Sequence, residues 1–292
     1  MTRGRDERGS PSERFRRNRP ALLGLALIGA LVIFAALFPL LSSHDPFVSD
    51  FAHGIAPSGG PMPPGRAFLL GTDRIFRDEL VRLAYGARLS LFIALSATLL
   101  ATLVGAVVGI LAGYFGGTTD FVLMRVVDVG LAFPFLLLVM AIGAALGKTT
   151  PETILLVLGL TGWLGTSRII RSKTIQLRHA HFVVASRALG QSTTRILTLH
   201  VLPNVAGPLT VLATLSVAQM IVAESVLSYL GAGIAPPTPT WGHMLFEGQD
   251  VVLVAPWTLV APAVAILVSV LAFNLVGEGL RDALDAQQMG RR

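Results

Sequence analysis

The chain has 292 residues, of which 53% are hydrophobic and 14% charged, where soluble domains carry about 25% charged residues. That balance argues against an ordinary soluble domain, and the absence of cysteine excludes disulfides, zinc fingers and thiol catalysis. The net charge of +6 is carried by residues flanking apolar stretches, so it reads as membrane orientation, and no nucleic-acid partner is expected.

In chain order, a basic tail over residues 1–20 precedes an apolar run at 21–41. That run is too long for the apolar region of a cleaved leader and is followed by no clear small-x-small site, so it reads as a retained first span. Residues 42–88 form a loop that opens with Pro, Gly and Ser. It ends in 73–85, where Ile75, Leu80, Leu83 and Ala84 recur at mostly helical spacing; a short interfacial helix is predicted there. Residues 89–280 form the core, with apolar runs at 89–115, 121–146, 153–170, 207–230 and 254–277. At about 1.5 Å per residue each can cross a hydrocarbon layer of about 30 Å, the run at 153–170 barely and that at 89–115 with tilt. The runs are continuous rather than alternating, so they predict helices and not a barrel. The fold class is therefore an all-α integral membrane protein with about six transmembrane helices, closed by a C-terminal tail at 281–292.

Placing the N-terminus inside puts 17 of the 23 Lys and Arg residues on the inner side and leaves Arg66, Arg74, Arg77, Arg82, Arg88 and Lys148 outside. Both termini are accordingly expected in the cytoplasm. The segment 171–206 is then an inner loop and 231–255 an outer one. Pro236, Pro237 and Pro239 before Trp241 make the outer one a capped turn or a re-entrant segment.

Candidate chemistry is sparse. Gly143 to Thr149 is similar to a phosphate-binding loop but is one residue short and follows an apolar helix, so no nucleotide site is assigned. Of six histidines only His179 and His181 are close together, and neither HExxH nor GxSxG occurs; no catalytic residue is expected. Gly105, Gly109 and Gly113 recur every four residues on one helix face, a pattern for close helix packing. Arg125 and Asp128 are spaced to pair on the third span. Glu224 sits inside the fifth span, either as a buried hydrogen-bonding group or as an acid lining a pathway.

The inner loop carries the most information. Residues 180–188 favour helix, Gly190 interrupts with a turn, and 195–199 can resume a helix that is expected to end before Pro203. Nine residues separate Gly190 from His200-Val201-Leu202-Pro203. The result is a short helix–turn–helix across the inner face, with small residues over which another protein's groove can close.

These residues resemble the coupling motif of ABC importer permeases, EAA, three residues, Gly, nine residues, I-x-L-P. Gly190, Leu202 and Pro203 match in register and Ala185 matches the first alanine, whereas Val184 replaces the glutamate, Ser186 the second alanine and His200 the isoleucine. Over about residues 20 to 285 the chain is similar to one branch, the C-type permeases of dipeptide, oligopeptide and nickel importers. Gly71-Thr-Asp-Arg-Ile-Phe-Arg-Asp78, Tyr85-Gly-Ala-Arg88, Gly113-Tyr-Phe-Gly-Gly117, Ala132-Phe133-Pro134, Leu227-Ser228-Tyr229-Leu230-Gly231 and Pro236 to Gly242 occur in order. Phe76 stands where that family usually has glycine.

The resemblance implies a permease subunit of a peptide importer in a bacterial cytoplasmic membrane, with the fold of a type I importer. It would pair with a second permease and two cytoplasmic ATPases, which bind the ATP and Mg; this chain would hold no cofactor or metal of its own. A substrate-binding protein outside the membrane would deliver the cargo. Nickel or another small solute is the alternative cargo, and a stand-alone secondary transporter the alternative class.

Overall fold

The computed structural model describes residues 10–147 and 150–289, with side chains described to residue 284. The first nine residues of the basic tail, Lys148, Thr149 and the last three residues lie outside that range. Among the described residues all regular structure is helical, apart from two isolated bridges, Ile55 with Pro61 and Thr72 with Asp78.

A short helix α1 (Pro11–Arg17) is capped by Ser10 and Glu13, each bonding the other's backbone N–H. Helix α2 (Arg19–Leu41) starts on the Asn18 side chain, which accepts from the Ala21 N–H. Its small residues Ala21, Gly24 and Ala35 are buried, while Leu23, Leu25, Ile33 and Leu37 are exposed. Apolar residues on the outside suit a helix whose solvent is lipid. Pro39 lacks the N–H that would bond the Ala35 carbonyl, and Arg88 of the next helix donates to that oxygen and to the Ala36 carbonyl instead.

Residues 42–78 fold as an irregular loop around the buried Thr72, whose hydroxyl accepts from Met62 N–H and donates to the Gly54 carbonyl. Phe76 has φ of 68° and is the only non-glycine residue with positive φ among those described. The turn expected of glycine is thus retained with phenylalanine in it, and the Phe76 ring packs edge-on against Phe51. The interfacial helix expected over 73–85 is not a separate element: residues 73–78 turn, and residues from Glu79 onward belong to a 37-residue helix, α3 (Glu79–Phe115). The Asp78 side chain accepts from Leu80 and Val81 N–H, so the N-cap falls six residues later than the periodicity suggested.

The run predicted as one span at 121–146 is broken. Helices α4 (Gly117–Leu131) and α5 (Phe135–Leu146) meet at 90°. Pro134 removes a helical donor and pushes Phe133 out of helical geometry, which is why the chain turns there. Helix α6 (Pro151–Arg178) runs two turns past the span expected at 153–170, so the loop expected at 171–206 begins inside a helix. Then follow α7 (His181–Ala188), α8 (Thr193–Ile196), a π-helical turn (Leu197–Val201) and α9 (Leu202–Tyr229). Pro203 does not end a helix as expected: the π turn takes up the break, and Thr193–Tyr229 reads as one helical run. Helix α10 (Trp241–Gly248), a 3₁₀ turn (Gln249–Val251) and α11 (Trp257–Met289) complete the chain.

Among the described residues five helices are long and apolar enough to cross a membrane, or six if the bent α4–α5 pair counts as one span. The main core lies between α3, α6, α9, α10 and α11 around Ile93, Leu158, Ile221 and Trp241. A smaller one, at the other end of α3, gathers Tyr114, Ile170, Leu177, Val183, Ile196, Val201 and Val205.

Candidate functional site

Helix α3 packs on α6 through the three predicted glycines. A Cβ at Gly105 would lie 2.8 Å from Thr166, one at Gly109 2.6 Å from the Ser167 carbonyl, and one at Gly113 2.7 Å from the Arg171 carbonyl. Contact this close with backbone leaves no room for any side chain. The stripe is therefore used within this chain.

At the α7 end, the helix terminus is built by backbone chemistry. Gly190 has φ of 75°. Gln191 N–H bonds the Ser186 carbonyl and Gly190 N–H bonds the Arg187 carbonyl. That is a Schellman cap, whose left-handed residue is best filled by glycine. Val183 and Ser186 face inward, Val183 onto the smaller core, and the Arg187 guanidinium lies over the Tyr114 ring at 5.4 Å. The other side of the segment is left bare: Phe182, Val184, Ala185, Leu189, Gly190, Leu202 and Pro203 are exposed, Leu189 to 82%. An exposed apolar face on a well-anchored short helix is the kind of surface over which another protein's groove can close. His200, by contrast, turns inward and meets Ser186 at 3.1 Å.

The predicted intramembrane charges separate. Asp128 lies 3.9 Å from Arg125 but 2.5 Å from Arg168 of α6, and Arg171 pairs with Asp120 through both guanidinium and carboxylate arms. The expected Arg125–Asp128 pair is therefore the weaker contact, because α6 packs beside α4 and sets Arg168 against Asp128. Glu224 is fully buried and accepts from Ser90 of α3 at 3.2 Å and from Ser228 at 2.8 Å. Ser90 in turn accepts from Trp241 N–H. Glu224 thus joins three helices and does not line the large cavity.

That cavity, of about 770 Å³, opens between α4, α5, α6, α9 and α11. Its wall is mostly apolar, with Thr161, Ser216, Gln219 and Asn274 as neutral polar groups and no charged residue.

A cluster at the α10 end escaped sequence reasoning. Arg77 and Arg82, 3% and 1% exposed, share Asp73 and Glu247. Arg77 meets Asp73 at 2.6 Å and Glu247 at 2.9 Å; Arg82 meets Glu247 at 2.5 Å. Burial would raise the Glu247 carboxyl, but His243 at 3.6 Å and the two guanidiniums more than offset it and hold it down at about 2. The partners lie some 170 residues apart. The available signal was six charged residues in 73–82 and the acid Glu247 in the outer segment before the last span. No group of three or more His, Cys, Asp or Glu among the described residues could hold a metal.

A helical bundle with one broken span, a glycine-packed helix pair and a short exposed helix slung from its end defines a multi-span subunit of a membrane transporter. The inward-facing MetNI methionine ABC transporter shares this fold, with a TM-score of 0.56 over 70% of this chain and 95% of that one, at 16% identity. Residues 105–289 match the family described as the binding-protein-dependent transport system inner membrane component, and 12–64 match the N-terminal TM domain of oligopeptide transport permease C. The chain belongs to the first of these families. It is similar to the oligopeptide transport system permease protein OppC of Bacillus subtilis, 38% identical over 93% of this chain and 87% of that one. OppC of Escherichia coli is 40% identical over 93% and 88%. The dipeptide permease protein DppC of Alkalihalophilus pseudofirmus is 37% identical over 94% and 88%.

Proposed function

We propose that this chain is one membrane subunit of an ATP-driven importer that passes peptides inward across a bacterial cytoplasmic membrane. The observation that carries this reading is the α7 segment, anchored by Val183, Ile196 and Val201 yet presenting Phe182, Val184 and Leu189 to solvent. Family membership and the named peptide permeases among its relatives support the cargo. The neutral wall of the 770 Å³ cavity suits cargo whose side chains vary, since no fixed charge there selects against either sign.

In this reading α7 faces the cytoplasm, as the distribution of Lys and Arg favours. Two ATPase subunits hold ATP and Mg and grip α7, a second permease completes the pathway, and a binding protein delivers the peptide at the α10 end. Closure of the ATPase pair moves α7 as a rigid body, and the run Thr193–Tyr229 carries that motion to Leu215, Ser216 and Gln219 in the cavity wall.

The test is Gly190→Trp. A side chain at φ of 75° strains the cap and places a bulky ring on the docking face. Membrane insertion is expected to persist while ATPase co-purification and peptide uptake are lost. Uptake and co-purification at wild-type level would refute the reading, as would peptide transport by the purified chain alone.

A further inference from the structure

Ser186 and His200, two positions where this chain departs from the motif it resembles, are in contact. His200 Nε2 lies 3.1 Å from Ser186 Oγ and 3.2 Å from Gln191 Oε1. The Ser186 hydroxyl donates its proton to the Phe182 carbonyl at 2.8 Å, so toward His200 its oxygen accepts. Gln191 Oε1 can only accept. One ring N–H, on Nε2, therefore serves both bonds.

The three residues belong to different pieces of the segment. Ser186 is on α7, Gln191 directly follows the Gly190 cap, and His200 lies in the π turn, where Leu202 N–H reaches back to the Leu197 carbonyl. Val183 seats α7 on the smaller core, and the contacts of His200 with Ser186 and Gln191 add a polar tie across the exposed turn at Gly190. The π turn is itself a joint, because its extra residue per turn can be redistributed along the helix.

We propose that Ser186, His200 and Gln191 form a staple that locks α7 to the start of the α9 run, so that displacement of α7 is transmitted to the cavity wall. They act as positioning residues, through α9 and not by touching cargo or nucleotide. The proposal rests on the coupling role assigned to α7 above.

The experiment uses the complete transporter, with its ATPases and binding protein, in proteoliposomes, and reads peptide taken up per ATP hydrolysed. In His200→Leu the ATPases still co-purify and hydrolysis stays within about twofold, but uptake per ATP falls roughly tenfold, as expected for two lost hydrogen bonds. Gln191→Ala, which removes one bond, gives a smaller fall and covers the case in which His200→Leu does not fold. Combining Ser186→Ala with His200→Ile replaces the polar contact by an apolar one and restores the ratio to within about twofold. A ratio unchanged in both His200→Leu and Gln191→Ala overturns the staple and leaves the coupling reading standing. A wild-type chain that never associates with ATPases overturns the coupling reading itself. Loss of co-purification in proportion to uptake, with no rescue by the double variant, also overturns the staple, since His200 would then serve docking.

Discussion

Arg82 and Arg168 each meet a carboxylate oxygen at 2.5 Å, yet Arg82 is 1% exposed and Arg168 51%. The first sits with Arg77, Asp73 and Glu247 at the α10 end, closing the loop 42–78 and α10 over the start of α3. The second sits on α6 beside Asp128, toward the α7 end. The comparison teaches that identical distances carry different energies. A buried pair cannot lose one member without stranding the other in a poor solvent, whereas an exposed pair exchanges its partner for water. The α10 end is built to hold one shape. The α7 end instead carries a bare apolar face, a π turn and exposed pairs, as the proposed grip by ATPase subunits requires.

The sharpest way to break this contrast is Arg82→Met, which leaves Asp73 and Glu247 to share the one remaining guanidinium, Arg77. A loss of about 3–5 kcal/mol is expected, read as a large fall in Tm of the purified protein and in its membrane level. An unchanged Tm would mean that the cluster does not tie the α10 end together.

Acid gives the next largest effect. The Glu247 carboxyl is held at about 2, below its ordinary 4.5, so its contribution is present above the ordinary value and is lost as pH falls from there through 2. At pH 3 the loss is on the order of 2 kcal/mol. Between pH 6 and pH 3 the wild type should therefore lose more Tm than Glu247→Gln, and equal slopes for the two would remove Glu247 from the account. The smallest effect is expected from Arg168→Ala, at or below about 1 kcal/mol because the pair is half in solvent. A fall as large as that of Arg82→Met would erase the distinction between the two ends.

The span count and the glycine stripe were legible because both depend on local pattern. A continuous apolar run fits lipid whatever lies beside it, and glycines four apart share a face in any helix. The fate of Glu224 was half legible. Its burial followed from position, but its choice of Ser90 and Ser228 needed α3 and α9 to be side by side. The break at Pro134 was visible as a residue and missed as a consequence, because apolarity continues on both sides of the bend. The start of α3 was misplaced for a related reason: helical periodicity extends through 73–78, but the Asp78 cap and the turn at Phe76 set the boundary.

Sequence by itself determined that the chain is helical, that it lives in lipid, and where Gly190 and Pro203 stand relative to one another, since hydropathy and spacing act over one or two turns. Only the tertiary structure decided which charges are buried together at the α10 end, which helix the glycines face, and that His200 returns to Ser186. Those outcomes depend on groups distant along the chain meeting across a packed interface, where burial sets the strength of each bond and no local pattern records the partner.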